Sequence, residues 1–142
     1  MRVVGFNFKK LEAERKESKK GKLKIDSNID IEEIEEQEFS LDKDKKALRF
    51  IFNFSINYKP GIATITLNGY LIAVFSKENA KKIQNKWEDK KLPSEVKKLI
   101  FNFILKKSNL KALELEDELG LPPHLPMPKL KSGSKQGKSY TG

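Results

Sequence analysis

From residue 48 to residue 58 the chain reads Leu-Arg-Phe-Ile-Phe-Asn-Phe-Ser-Ile-Asn-Tyr, with a large apolar side chain at every even position. Alternation of period two places Leu48, Phe50, Phe52, Phe54, Ile56 and Tyr58 on one face of a β-strand. Lys59-Pro60-Gly61 supplies a turn, and Ile62 to Phe75 returns as a second strand rich in β-branched residues. The two predict a long antiparallel hairpin. Its apolar face must be covered by something else.

Two weaker strands precede it. Val4, Phe6 and Phe8 alternate, and Leu11 and Ala13 resume the pattern one residue out of phase. A strand from about Arg2 to Ala13 with a β-bulge near Lys9-Lys10 accounts for the slip. Lys16 to Gly21 is a polar turn. Leu23, Ile25, Ile29 and Ile31 mark a second strand, with Ile34 out of phase and charge on both sides. That charge predicts a position at or near a sheet edge, where it opposes unwanted pairing. Leu41 to Lys46 is a charged turn into the hairpin. Asn68-Gly69 falls inside the last strand, where a glycine marks a bulge or a close backbone approach.

Helices follow Phe75. Ser76 is a good N-cap, Glu78 suits the first turn, and Ala80, Ile83 and Trp87 recur at helical spacing. Leu92-Pro93-Ser94-Glu95 restarts the chain, with Pro93 expected at the first helical position. Val96, Leu99, Ile100, Phe103 and Ile104 form an amphipathic stripe, extended through Leu110 and Leu113 towards Leu119, with a break at Ser108-Asn109 as an option. Gly120 ends it and Pro122 and Pro123 forbid its continuation. The segment His124-Leu125-Pro126-Met127-Pro128 should be extended, with Leu121, Leu125, Met127 and Leu130 packing back on the domain. The fold class expected is therefore α+β: a four-stranded antiparallel sheet with one face covered by two C-terminal helices.

Composition narrows the function without naming it. At 142 residues the chain reads as one domain over residues 1–130, followed by a flexible basic tail over residues 131–142. No apolar run approaches the roughly 18–20 residues of a membrane span, and Met1 to Leu11 lacks the features of a signal peptide. Cytoplasmic residence is the default expectation. Without cysteine there are no disulfides, thiolate ligands or cysteine nucleophiles. The net charge of +9 invites a polyanion partner. Its distribution tempers this: eight Lys/Arg over residues 9–24 are followed by six carboxylates over residues 30–38. Lys129, Lys131, Lys135 and Lys138 then form a run without acid, a candidate polyanion contact.

Catalytic chemistry is hard to assemble. His124 is the single histidine and reads as a partly exposed packing or capping residue rather than a general base. One histidine without cysteine builds no usual zinc site, and the acidic block lacks the loop spacing of a calcium site. Phosphate-binding loops and the nucleophile elbow are absent, so no cofactor is expected. Leu110 to Leu121 looks like the start of a helix-turn-helix, but the prolines that follow exclude a recognition helix. On the sheet face opposite the phenylalanines, Ile51, Tyr70, Ile72 and Val74 leave an apolar patch, a candidate contact for a polypeptide or a second subunit.

The order of elements, the hairpin Leu48–Phe75 and Leu92-Pro93-Ser94-Glu95 leading into a long helix resemble the SecB-type export-chaperone fold. Gly120-Leu121-Pro122-Pro123-His124-Leu125-Pro126 is similar to the ending of small, mostly uncharacterised archaeal proteins with a SecB-like domain. The resemblance implies a cytoplasmic, oligomeric holdase that binds extended or unfolded chains through apolar surfaces and is not an enzyme. One departure stands out: SecB proteins are acidic, whereas this chain is basic. The alternative expectation is an RNA- or ribosome-associated accessory protein.

Overall fold

A computed structural model describes residues 1–16, 21–38 and 43–126. Strands β1 (Arg2–Arg15), β2 (Lys24–Gln37), β3 (Lys45–Lys59) and β4 (Ala63–Ser76) precede helices α1 (Lys77–Trp87) and α2 (Ser94–Glu118). The sheet is antiparallel in the order β1-β4-β3-β2. The hairpin thus forms its centre, and β1 and β2 are its edges. The architecture is the α+β one expected from the sequence.

Phe50 lies opposite Leu71, Phe54 opposite Leu67 and Ile56 opposite Ile65, so the inward sets of β3 and β4 share one face. Leu48, Phe50 and Phe52 pack with Ala80 and Ile83 of α1 and Ile100 and Ile104 of α2. Phe54, Ile56, Tyr58, Ile65 and Leu67 form a second cluster with Ala112 and Leu121. The phenylalanines face the helices and are buried.

Both phase slips read from the sequence are register shifts. In β1 one falls between Phe8 and Lys10, and another between Val3 and Gly5. In β2 the shift between Ile31 and Glu33 brings Ile34 opposite Phe50, on the same face as Ile29 and Ile31. The first strand outruns its expected end at Ala13, because Arg15 still finds Ala63 as a partner. A Cβ at Gly69 would lie 2.3 Å from the Asn7 carbonyl oxygen; the close approach requires glycine. Leu23, expected in the second strand, precedes β2 and is exposed.

Ser76 caps α1 by accepting from the Asn79 N–H at 3.1 Å. Pro93, expected as the first residue of the next helix, is its N-cap, with an extended ψ of 138°. α2 continues through Ser108-Asn109 without a break, and its buried residues are Ile100, Ile104, Ser108, Ala112 and Glu116. The expected stripe is corrected accordingly: Leu99 and Leu110 are exposed and Leu113 is half-buried. A step of four residues advances about 40° around a helix. The buried line therefore winds along α2 as it crosses the twisted sheet. At its end Leu121 donates to the Glu116 carbonyl and Gly120 to that of Asp117. Gly120 adopts φ +64°, which only glycine takes up at little cost.

The polar turn at Lys16–Gly21 and the charged turn at Leu41–Lys46 fall partly outside the described residues. Met127, Leu130 and the tail lie wholly outside them. Of the apolar side chains expected to pack back, Leu121 is buried and Leu125 is exposed.

Candidate functional site

The register puts Ile51 opposite Tyr70, Arg49 opposite Ile72 and Ala47 opposite Val74, all on the face turned away from the helices. The predicted patch is therefore one surface, but it is a closed one. Ile72 is 9% and Val74 5% exposed. The Arg49 guanidinium lies 3.8 Å from the centroid of the Tyr70 ring, and Asn7 Nδ2 donates to the Tyr70 hydroxyl at 3.1 Å. Ile51 and Tyr70 remain half-buried. Lys129, Lys131, Lys135 and Lys138 lie outside the described residues.

His124 is not the partly exposed residue the sequence suggests. Its side chain is 2% exposed and that of Glu116 1%. Nδ1 meets Glu116 Oε2 at 2.7 Å, Nε2 lies 2.9 Å from Asn109 Oδ1, and the His124 N–H donates to Glu116 Oε1 at 3.1 Å. Tyr58 donates to the Pro122 carbonyl. Burial, and next the Glu116 carboxylate, raise the Tyr58 phenol well above its ordinary range. This network joins the proline-rich segment to α2 and β3. Arg15 Nη1 adds bonds to the carbonyls of Leu119 and Gly120 at 2.7 and 2.8 Å. A ring so enclosed serves as a latch between the segment and α2 rather than as a cap, since it meets side chains and no terminal backbone group.

A surface with room for a ligand lies elsewhere. Along the middle of β2, where α1 ends and α2 begins, a groove of about 550 Å³ opens. Its apolar lining comes from Ile29 and Ile31 of β2, Trp87 at the end of α1, Leu92 in the connection and Phe101 in α2. Lys86, Lys90, Lys91 and Lys97 line it as well, with Asp30 the one carboxylate. Two ammonium groups sit over its rings: Lys90 Nζ lies 4.9 Å from the Trp87 centroid, and Lys97 Nζ 5.6 Å from that of Phe101.

Local sequence explains this geometry. α1 ends with the Lys91 N–H bonded to the Lys86 carbonyl and that of Lys90 to the Trp87 carbonyl. This closing turn usually takes glycine, yet Lys90 occupies it at φ 58°. Leu92-Pro93 then turns the chain into α2, which brings Lys97 and Phe101 to the groove.

β2 pairs with β3 alone, so its other side carries unpaired backbone donors and acceptors. Some of its acids are engaged. Glu36 accepts from Lys46 at 2.7 Å and Gln84 at 3.3 Å, and the first of these contacts chiefly holds its carboxyl below the usual range. Among the described residues no three His, Cys, Asp or Glu side chains converge to hold a metal ion, and no helix is long and apolar enough to cross a membrane.

Sequence reasoning missed this groove. Trp87 reads as helix core, Leu92 as punctuation, and the lysines as a solvated face. The one available signal was the edge position of the second strand, since a bare edge beside a short helix leaves space at its flank.

No family model matches the chain, and no curated protein matches it. Among solved structures it is similar to the Rv1957 SecB-like chaperone of Mycobacterium tuberculosis, in complex with a ChAD peptide from the Rv1956 HigA1 antitoxin. Identity is 15% and the TM-score 0.49, over 92% of this chain and 89% of that one.

Proposed function

We propose that this protein is a non-enzymatic, chaperone-like binder of extended or unfolded polypeptide. One observation carries the reading: an open groove, lined by five apolar side chains and four lysines, runs beside an unpaired strand edge. An extended segment laid along β2 finds backbone partners at the edge, while its alternate side chains enter the groove. Each leucine-sized side chain buried there contributes about 1.5–3 kcal/mol. Two or three such anchors give about 3–9 kcal/mol and ordering the segment offsets much of this, so micromolar affinity, about 8 kcal/mol, also draws on the backbone hydrogen bonds along the edge. Reversible capture of that strength needs no nucleotide. We assign Ile51 and Tyr70, the half-buried members of the outward patch, to contact between subunits, with Ile72 and Val74 packed beneath them.

The test is aggregation of a chemically unfolded client with and without the protein. Suppression at stoichiometric amounts, unchanged by ATP and weakened by Phe101→Ala, is expected. No suppression at several-fold excess removes the reading. A second reading, an RNA- or ribosome-associated role, draws on the net charge of +9 and the run Lys129, Lys131, Lys135 and Lys138. It requires RNA affinity that falls steeply with salt, and binding indifferent to salt dismisses it.

A further inference from the structure

We infer that the groove reads charge on both faces of the segment it binds: apolar and acidic side chains towards the helices, basic ones on the opposite face. This rests on the polypeptide-binding reading above. Successive residues of an added strand point to opposite sides of the sheet, so each side meets a different surface of this protein.

On the helix side the groove is cationic. Among the described residues, Lys86, Lys90, Lys91 and Lys97 form no ion pair. Lys90 holds a backbone conformation that disfavours any side chain, and it is there that its ammonium sits over Trp87.

On the other side the edge is acidic. Glu33 lies opposite Ile51 and Glu35 opposite Arg49, on the face turned away from the helices, and Asp30, opposite Asn53 on that face, stands at the rim of the groove. Carboxylates of a bound segment placed there would meet like charge directly across the strand pair, and lysines would meet opposite charge. The same acids oppose pairing of β2 with the β2 of a second copy, which would bring carboxylates against carboxylates. Nucleic acid fits less well. Base stacking needs a free ring face, and lysines lie over one face of both Trp87 and Phe101.

Two peptides of identical composition test this by fluorescence polarisation. In the first, one face of the extended chain alternates Leu and Glu and the other alternates Lys and Thr. In the second, every Glu and Lys is exchanged, so net charge and apolar content stay the same. The first should bind about tenfold tighter or more, from several exposed charge pairs of modest individual strength. The difference should vanish in molar salt and shrink in Lys90→Glu/Lys97→Glu. Lys90→Gly, which relieves the backbone, should raise the melting temperature while narrowing the preference. Equal binding of both peptides overturns the charge reading and leaves polypeptide binding intact, whereas binding of neither overturns both. Displacement of the first peptide by a single-stranded oligouridylate also overturns it, by assigning the groove to nucleic acid.

Discussion

Replacing His124 by alanine tests whether the proline-rich segment is latched to the core or merely rests on it. The substitution removes the 2.7 Å contact with Glu116 Oε2 and the 2.9 Å contact with Asn109 Oδ1. It also removes the ring packed edge-on against Phe54, at a centroid distance of 6.2 Å. Glu116 stays in place, 1% exposed, without the side chain that compensates it. Stranding a buried acceptor costs about 1–3 kcal/mol, and the cavity left by the lost ring adds about 2 kcal/mol or more. A domain of this size has a total stability of roughly 5–15 kcal/mol, so a fifth or more is at stake. Urea unfolding followed by far-ultraviolet circular dichroism measures the loss, which should lower the midpoint without changing the slope. Replacing both partners by apolar residues, Glu116→Met with His124→Phe, should cost far less than the two single changes together. A loss below about 1 kcal/mol for His124→Ala, less than a lone unpaired buried group costs, would refute the latch. So would strict additivity in the double variant.

Three further outcomes follow from the core. Ser108 is fully buried and its hydroxyl has no partner among the described residues, so Ser108→Ala should leave stability unchanged or raise it by about 1 kcal/mol, read by the same unfolding assay. Gly69→Ala drives a methyl into the Asn7 carbonyl and should cost about 2 kcal/mol or more, with the β1 amides losing protection against hydrogen exchange. The folded-state value of the Tyr58 phenol is raised, so its contribution is complete below about pH 10, where the unfolded chain also keeps the proton. Above that pH the unfolded state ionises first, and stability should fall by about 1.4 kcal/mol per pH unit from this group. Unfolding curves of Tyr58→Phe should lack that component.

How much of this was legible in the sequence depends on what each element answers to. The hairpin was readable because Phe50, Phe52 and Phe54 alternate without interruption, and burial on one sheet face enforces that period. The slips at Lys9 and Glu32 were visible as broken phase and became bulges. The far half of α2 was misread because the sheet beneath it, absent from any local window, decides which positions are covered. Ser108 and Glu116 look like surface residues and are buried, Glu116 because His124 meets it from eight residues further on. The groove was invisible for a related reason. Ile29, Trp87 and Phe101 come from three elements, and each has an ordinary explanation as core until the edge beside it is seen to be bare.

Occupation of this groove by an extended polypeptide has a built-in reporter, since Trp87 is the single tryptophan and lines the groove. Titration with a tryptophan-free extended peptide, followed by indole emission, should give a saturable blue shift as the half-buried ring is covered, with a midpoint matching the affinity measured independently. Tight binding of that peptide with the emission of Trp87 unchanged would contradict the account, because the client would then lie somewhere else on the molecule.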